Sequence, residues 1–144
     1  MLQYTLRLSK GNFEQIYNHA EANLPFEAVA LLFGRVENES ITVTNISLVD
    51  NKAKSRTSFE VDPEEEYKLL LEAEDRGEEM VCIFHSHPAP TTPSPSDLRN
   101  MKLNPVIWLI ASKITGQWES RAFTLNEEEI LEVVIKIEDT TSST

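Results

Sequence analysis

The chain of 144 residues holds a single cysteine, Cys82. One thiol cannot close an internal disulfide, so nothing in the sequence calls for an oxidising compartment. Basic residues are scarce: 13 Lys and Arg stand against 24 Asp and Glu, a formal net charge of −11. A phosphate-binding surface needs the opposite balance, which argues against nucleic acid as a partner. Acidity of this size favours solubility and a partner with a basic face. The clusters Glu64-Glu65-Glu66 and Glu127-Glu128-Glu129 read as solvated surface. No apolar run approaches the roughly 20 residues of a membrane span. The opening MLQYTLRLSK has neither the basic nor the apolar region of a secretory signal. A cytoplasmic protein is expected, with no nucleic-acid or membrane partner.

Hydrophobic residues make up 40 %, which suits one domain with one core. No repeat or linker divides the chain. Residues 1–138 are expected to form that domain, and the polar tail DTTSST (139–144) to be disordered. Residues 3–8 alternate loosely and predict an opening strand. Ser9 can cap a helix over 10–23, with Phe13, Ile16, Tyr17, Ala20 and Leu24 as one buried stripe and Pro25 closing it. Ala28–Val36 has the length of a buried strand. Ile41 and Val43, then Ile46 and Leu48, alternate with polar residues, but the parity slips near Thr44–Asn45, which predicts a bulge.

Asp62-Pro63-Glu64-Glu65 looks like a helix start, with Tyr67, Leu70 and Leu71 as the inner face and Gly77 as the stop. Met80–His85 and Val106–Ala111 predict strands, 118–124 a hairpin partner, and the segment after Ile130 a further strand. The stretch from Glu127 to Ile130 could instead begin helically. The sum is an α/β domain of the α+β type: a curved mixed β-sheet flanked by two main helices.

The chemistry concentrates in Phe84-His85-Ser86-His87-Pro88 and Ser94-Pro95-Ser96-Asp97. On a strand, residues i and i+2 share a face with α-carbons roughly 6.5–7 Å apart. Two imidazoles so placed can converge on one ion. Zinc favours nitrogen and oxygen ligands in a tetrahedral array, and a catalytic site leaves one position open. Ser94 can cap a helix with Pro95 in its first turn, which puts Asp97 at the third position, aimed back toward the strand end. Cys82 falls on the opposite face from the histidines and reads as a buried core thiol. His19, alone on the first helix, is expected at the surface. Hydrolysis also needs a base. Glu27 stands out at the threshold of an apolar strand, where a carboxylate costs several kcal/mol to bury without a task or partner. Each feature has a plainer reading as well: surface histidines, an ordinary capping box, a strand-edge charge.

Taken together these residues resemble the JAMM (MPN-plus) metalloprotease family, whose pattern is an early glutamate followed by H-[ST]-H-P and S-x-x-D. Pro25-Phe26-Glu27-Ala28-Val29-Ala30-Leu31-Leu32-Phe33-Gly34 is similar to the family's first motif, and Phe59–Glu64 to its lead into the second helix. The similarity runs from about residue 5 to 125. Two departures stand out. Ala30 replaces a usual glycine, and the loop APTTP between Pro88 and Ser94 has five residues where many relatives have six.

The resemblance implies the MPN/JAMM, cytidine-deaminase-like fold and one Zn2+ per chain, bound by His85, His87 and Asp97. It implies Glu27 as general acid/base and Ser94 as a donor to the oxyanion, with Ser86 and Pro88 shaping the loop. The implied activity is isopeptidase cleavage of a ubiquitin-like modifier from target lysines. Trimming the C-terminus of a sulfur-carrier protein is the alternative, and a non-catalytic scaffold a weaker one. The partners are then a ubiquitin-like or sulfur-carrier protein and its conjugates, with the modifier's tail extended beside the site and adding a strand to the sheet edge. The short segment after Asp97 leaves no room for a long second insertion, a compact form that looks like archaeal and bacterial members.

Overall fold

The structure, a computed structural model, describes residues 4–138. The expected disordered tail, 139–144, lies outside the described residues. In chain order the elements are β1 (Thr5–Ser9), α1 (Lys10–Asn23), β2 (Val29–Glu37), β3 (Ser40–Val49), α2 (Pro63–Asp75), β4 (Glu79–His87), α3 (Pro95–Leu103), β5 (Ile107–Ser112), β6 (Glu119–Asn126) and β7 (Glu129–Glu138).

The expected curved sheet closes on itself. Seven strands form a barrel in the order β1-β3-β2-β4-β5-β6-β7, and three helices rather than two complete the α+β fold. Closure comes from parallel pairing of β1 with β7, Thr5 opposite Val134 through Ser9 opposite Glu138. On its other side β1 reaches only Ser40–Thr42 of β3. Beyond Thr42, β3 has a strand neighbour on one side alone, among the described residues.

Strand alternation sorts the apolar residues into two cores. One face gathers Leu6, Ala30, Leu32, Phe84 and Leu109 around Phe13, Ile16 and Ala20 of α1. Leu24, expected in that stripe, lies past the helix end and is exposed. The other face gathers Val29, Leu31, Ile83, Trp108 and Ile110 beneath Ala73 of α2 and Met101 of α3. Cys82 is buried in the first core, and burial pushes its thiol up despite an opposing hydrogen bond with the Leu109 backbone. The histidines belong to the second face, as the parity requires.

The predicted slip in β3 is present. Phe33 pairs with Asn45 and Gly34 with Val43, so Thr44 is the extra residue. Gly34 is obligatory there, because a Cβ would lie 1.8 Å from the Thr42 carbonyl oxygen. One other expectation fails. On α2 the inward residues are Ala73 and the half-buried Leu69, while Tyr67 is 62 % exposed and Leu70 and Leu71 also face outward. The helical alternative after Glu127 gives way to a tight β6–β7 hairpin, with Asn126 opposite Glu129 and Glu127 at φ 60.

Candidate metal centre

Local sequence logic delivers each site residue to one place. β4 runs two residues beyond the predicted strand, so both histidines are held in a ladder, with His85 opposite Val29 on β2 and Ile110 on β5. Ser94 caps α3 and Pro95 occupies its first turn. The Ser94 Oγ accepts from the Asp97 N–H at 3.1 Å, and Asp97 Oδ2 accepts from the Ser94 N–H at 2.9 Å. This box turns the Asp97 carboxylate toward β4, and the five-residue loop is long enough to bring it there. Ser86, on the opposite face, ties the strand to the Glu27 segment: its Oγ accepts from the Ala28 N–H at 2.8 Å.

The geometry is a convergence. His85 Nε2 and His87 Nε2 lie 3.1 Å apart. Asp97 Oδ1 is 3.2 Å from the first and Oδ2 is 2.9 Å from the second. One ligand atom each from Glu27, His85 and His87 falls within 4.8 Å of the others. All four residues are buried. Glu27 Oε1 and His85 Nδ1 are, among the described residues, the buried side-chain polar atoms without a hydrogen-bond partner. Such an atom costs about 1–3 kcal/mol, which calls for an occupant or a task.

The residues fit a zinc ion. Ligands about 2.0–2.1 Å from a tetrahedral centre sit about 3.3 Å from one another, close to the separations among the two Nε2 atoms and Asp97. The donor set of imidazole nitrogen and carboxylate oxygen is one zinc favours. His87 Nδ1 donates to the Pro90 carbonyl oxygen at 3.1 Å, which leaves the Nε2 lone pair facing the centre. His85 has no such partner. Its ring is held by the rings of Phe59, 4.9 Å away, and Trp108, 5.6 Å away.

The two carboxylates differ in character. Burial pushes Glu27 up to about 8; His87 draws it down and Asp97 adds to the rise. Burial would also raise Asp97, but hydrogen bonds from His85, His87 and the Ser94 backbone hold it well below the usual carboxylate range. Burial lowers His85 against the pull of Asp97, whereas at His87 the hydrogen bonds to Asp97 and Pro90 overcome burial and raise it.

Glu27, His85, His87 and Asp97 thus come together, and Ser94 stands at the same helix end. Cys82 stays away from the cluster, as expected. His19 is more than a surface residue: it is half-buried, with Nε2 donating to the Val29 carbonyl oxygen at 2.9 Å. Asn51 was not legible as a site residue. It bonds the main chain of Glu27, and no short motif in DNKAKS signals that role.

A family model for prokaryotic homologs of the JAB domain matches residues 9–126. A desampylase of Pyrococcus furiosus is 44 % identical over 114 residues, 78 % of this chain and 76 % of the relative. A probable TtuB-protein conjugate cleaving protease of Thermus thermophilus is 30 % identical over 131 residues, 90 % and 82 % of the two chains. The solution structure of a Desulfitobacterium hafniense protein superposes with a TM-score of 0.82 at 28 % identity, covering 94 % of each chain. The motif, the fold and these likenesses agree, and the chain belongs to the family of prokaryotic homologs of the JAB domain.

Proposed function

We propose that the chain is a zinc-dependent isopeptidase. It hydrolyses the bond between the C-terminus of a ubiquitin-like protein and a target lysine, using water and no covalent intermediate. The observation that carries this reading is the convergence of two Nε2 atoms, the Asp97 carboxylate and an unpartnered Glu27 oxygen in one buried cluster. A scaffold has no use for such a cluster, which leaves buried polar atoms unsatisfied.

His85, His87 and Asp97 would hold one Zn2+ per chain. Asp97 takes the third place rather than Glu27 because it is ionised at neutral pH and already meets both imidazoles. Glu27, with its carboxyl raised, suits proton transfer. When bound, zinc supplies Lewis acidity, polarising the scissile carbonyl and easing deprotonation of water.

The chain's own residues do the rest. In its ionised form, which the charge of a bound zinc ion would favour, Glu27 takes a proton from the attacking water and delivers it to the departing lysine nitrogen. The C–N bond breaks as that proton arrives, leaving a carboxylate on the modifier and a free amine on the target. Ser94 keeps its O–H to donate to the oxyanion while its Oγ caps α3. The modifier's tail would lie along the outer edge of β3 past Thr42, a strand that ends at Val49 opposite Val29, two residues from Glu27.

The substrate class draws on the relatives named desampylase and TtuB-protein conjugate cleaving protease. The lone buried thiol fits a reducing, cytoplasmic setting. The test is Glu27→Gln. The variant should bind zinc at one equivalent yet cleave a TtuB–lysine-peptide conjugate at least 100-fold more slowly than wild type, as expected for loss of a general base, worth about 10²–10⁴. Undiminished cleavage would remove Glu27 from the mechanism.

A further inference from the structure

Asn51 is 5 % exposed in the loop between β3 and α2, and the reaction above gives it no task. Its amide is saturated. Nδ2 donates to the carbonyl oxygens of Glu27 at 2.9 Å and Ser58 at 3.0 Å. Oδ1 accepts from the N–H groups of Ala53 and Glu60, each at 3.0 Å. A side-chain amide has two donor hydrogens and two acceptor lone pairs, so its whole capacity is spent here. The loop is also stitched independently, by the Glu27 N–H to the Ser55 carbonyl and the Lys52 N–H to the Glu60 carbonyl, each at 2.8 Å.

The partners of Asn51 matter more than their number. One is the main chain of Glu27. Two others, Ser58 and Glu60, flank Phe59, whose ring lies 4.9 Å from the His85 ring and 5.8 Å from Trp108. His85 Nδ1 has no hydrogen bond, although metal-bound imidazoles are ordinarily oriented by one at that nitrogen. The rings packed on His85 are those of Phe59 and Trp108, and Asn51 bonds the main chain on either side of Phe59.

Resting on the isopeptidase reading, we infer that Asn51 is a positioning residue for both halves of the site. Through the Glu27 carbonyl it sets where the base sits, and through Phe59 it sets the orientation of the His85 ring. Aspartate at this position keeps the two acceptor contacts and loses both donors, and it turns a carboxylate oxygen on the Glu27 and Ser58 carbonyls. Leucine at position 59 leaves every bond of Asn51 in place and removes the ring from His85.

The experiment compares wild type, Asn51→Asp, Phe59→Leu and the double variant. It reads zinc affinity by competition with a chromophoric chelator, kcat and KM on the TtuB–lysine-peptide conjugate with zinc-loaded protein, and Tm. Asn51→Asp should lower kcat at least tenfold with KM within threefold of wild type, and weaken zinc about tenfold, the low end of the range for lost outer-shell partners. Phe59→Leu should weaken zinc by a similar factor, and the double variant no more than the weaker-binding single, because both act through one ring. If Asn51→Asp does not fold, Asn51→Ser takes its place with the same expectations. Lower Tm alone, with kcat and zinc affinity at wild-type values, would overturn the inference. A wild-type protein that binds zinc but leaves the conjugate intact would instead overturn the isopeptidase reading, and the zinc measurements would still decide the part of Asn51.

Discussion

At Glu27 the proposed chemistry and the stability of the fold pull in opposite directions. Its carboxyl is raised from 4.5 to about 8 in the folded protein, chiefly by burial. Below about pH 4.5 the group is protonated in both folded and unfolded chains, and burial is not penalised. As pH rises toward 8, the unfolded chain releases a proton that the folded one retains, so stability falls. Glutamine has no such transition. Chelator-treated Glu27→Gln should therefore gain stability over chelator-treated wild type by about 3–4 kcal/mol between pH 5 and pH 8, read by urea unfolding. A difference that does not change with pH would contradict the buried-carboxyl account. At this scale the sequence was informative where spacing fixes direction: strand parity put His85 and His87 together and Cys82 apart, and the capping box aimed Asp97. It was silent on Asn51, whose partners at 27, 58 and 60 are set by loop closure rather than by local pattern.

Elements were legible where a breaker or a cap marks them. Ser9, Asp62 and Ser94 each cap the helix they precede, and Gly77, at φ 74, ends α2. The inner face of α2 was misread because PEEEYKLLLEAED offers two apolar stripes, and periodicity does not say which one meets the sheet. The stripe carrying Ala73 won: the small alanine allows close approach with the half-buried Leu69 beside it, and Tyr67, Leu70 and Leu71 remain outside. The bulge in β3 was visible as a break in alternation, but the shift between β2 and β4, where Leu32 pairs with Cys82 and Phe33 with Met80, was not. Gly34→Ala forces a methyl group into the Thr42 carbonyl and should destabilise the protein by about 3 kcal/mol or more, since only a backbone shift relieves the clash. An unchanged urea midpoint would show that the β2–β3 register yields at no cost.

At the scale of the whole molecule, the barrel was beyond the reach of sequence patterns. Its closing contacts join the two ends of the chain: β1 pairs β7 in parallel, and Arg7 meets Glu138 at 2.6 Å across 131 residues of sequence. Local periodicity carries no information about such pairings, so a curved mixed sheet was as far as alternation could lead. The barrel nonetheless brings these residues together, with Glu27 just before β2, the histidines at the end of β4, and α3, in the connection from β4 to β5, presenting Asp97.

The proposed activity is cleavage of lysine-linked conjugates by this cluster with bound zinc. The most direct test follows one preparation of wild-type protein by mass spectrometry on two substrates, a TtuB–lysine-peptide isopeptide conjugate and TtuB with a linear C-terminal extension. The protein is assayed as zinc-loaded, after chelation, and after zinc is restored. A zinc-dependent isopeptidase releases intact TtuB and an unmodified lysine peptide, an activity lost on chelation, recovered with one equivalent of zinc, and faster than trimming of the linear extension. Faster trimming of the linear extension would move the activity to C-terminal processing. Isopeptide cleavage that persists after complete removal of zinc would rule out a zinc-dependent isopeptidase.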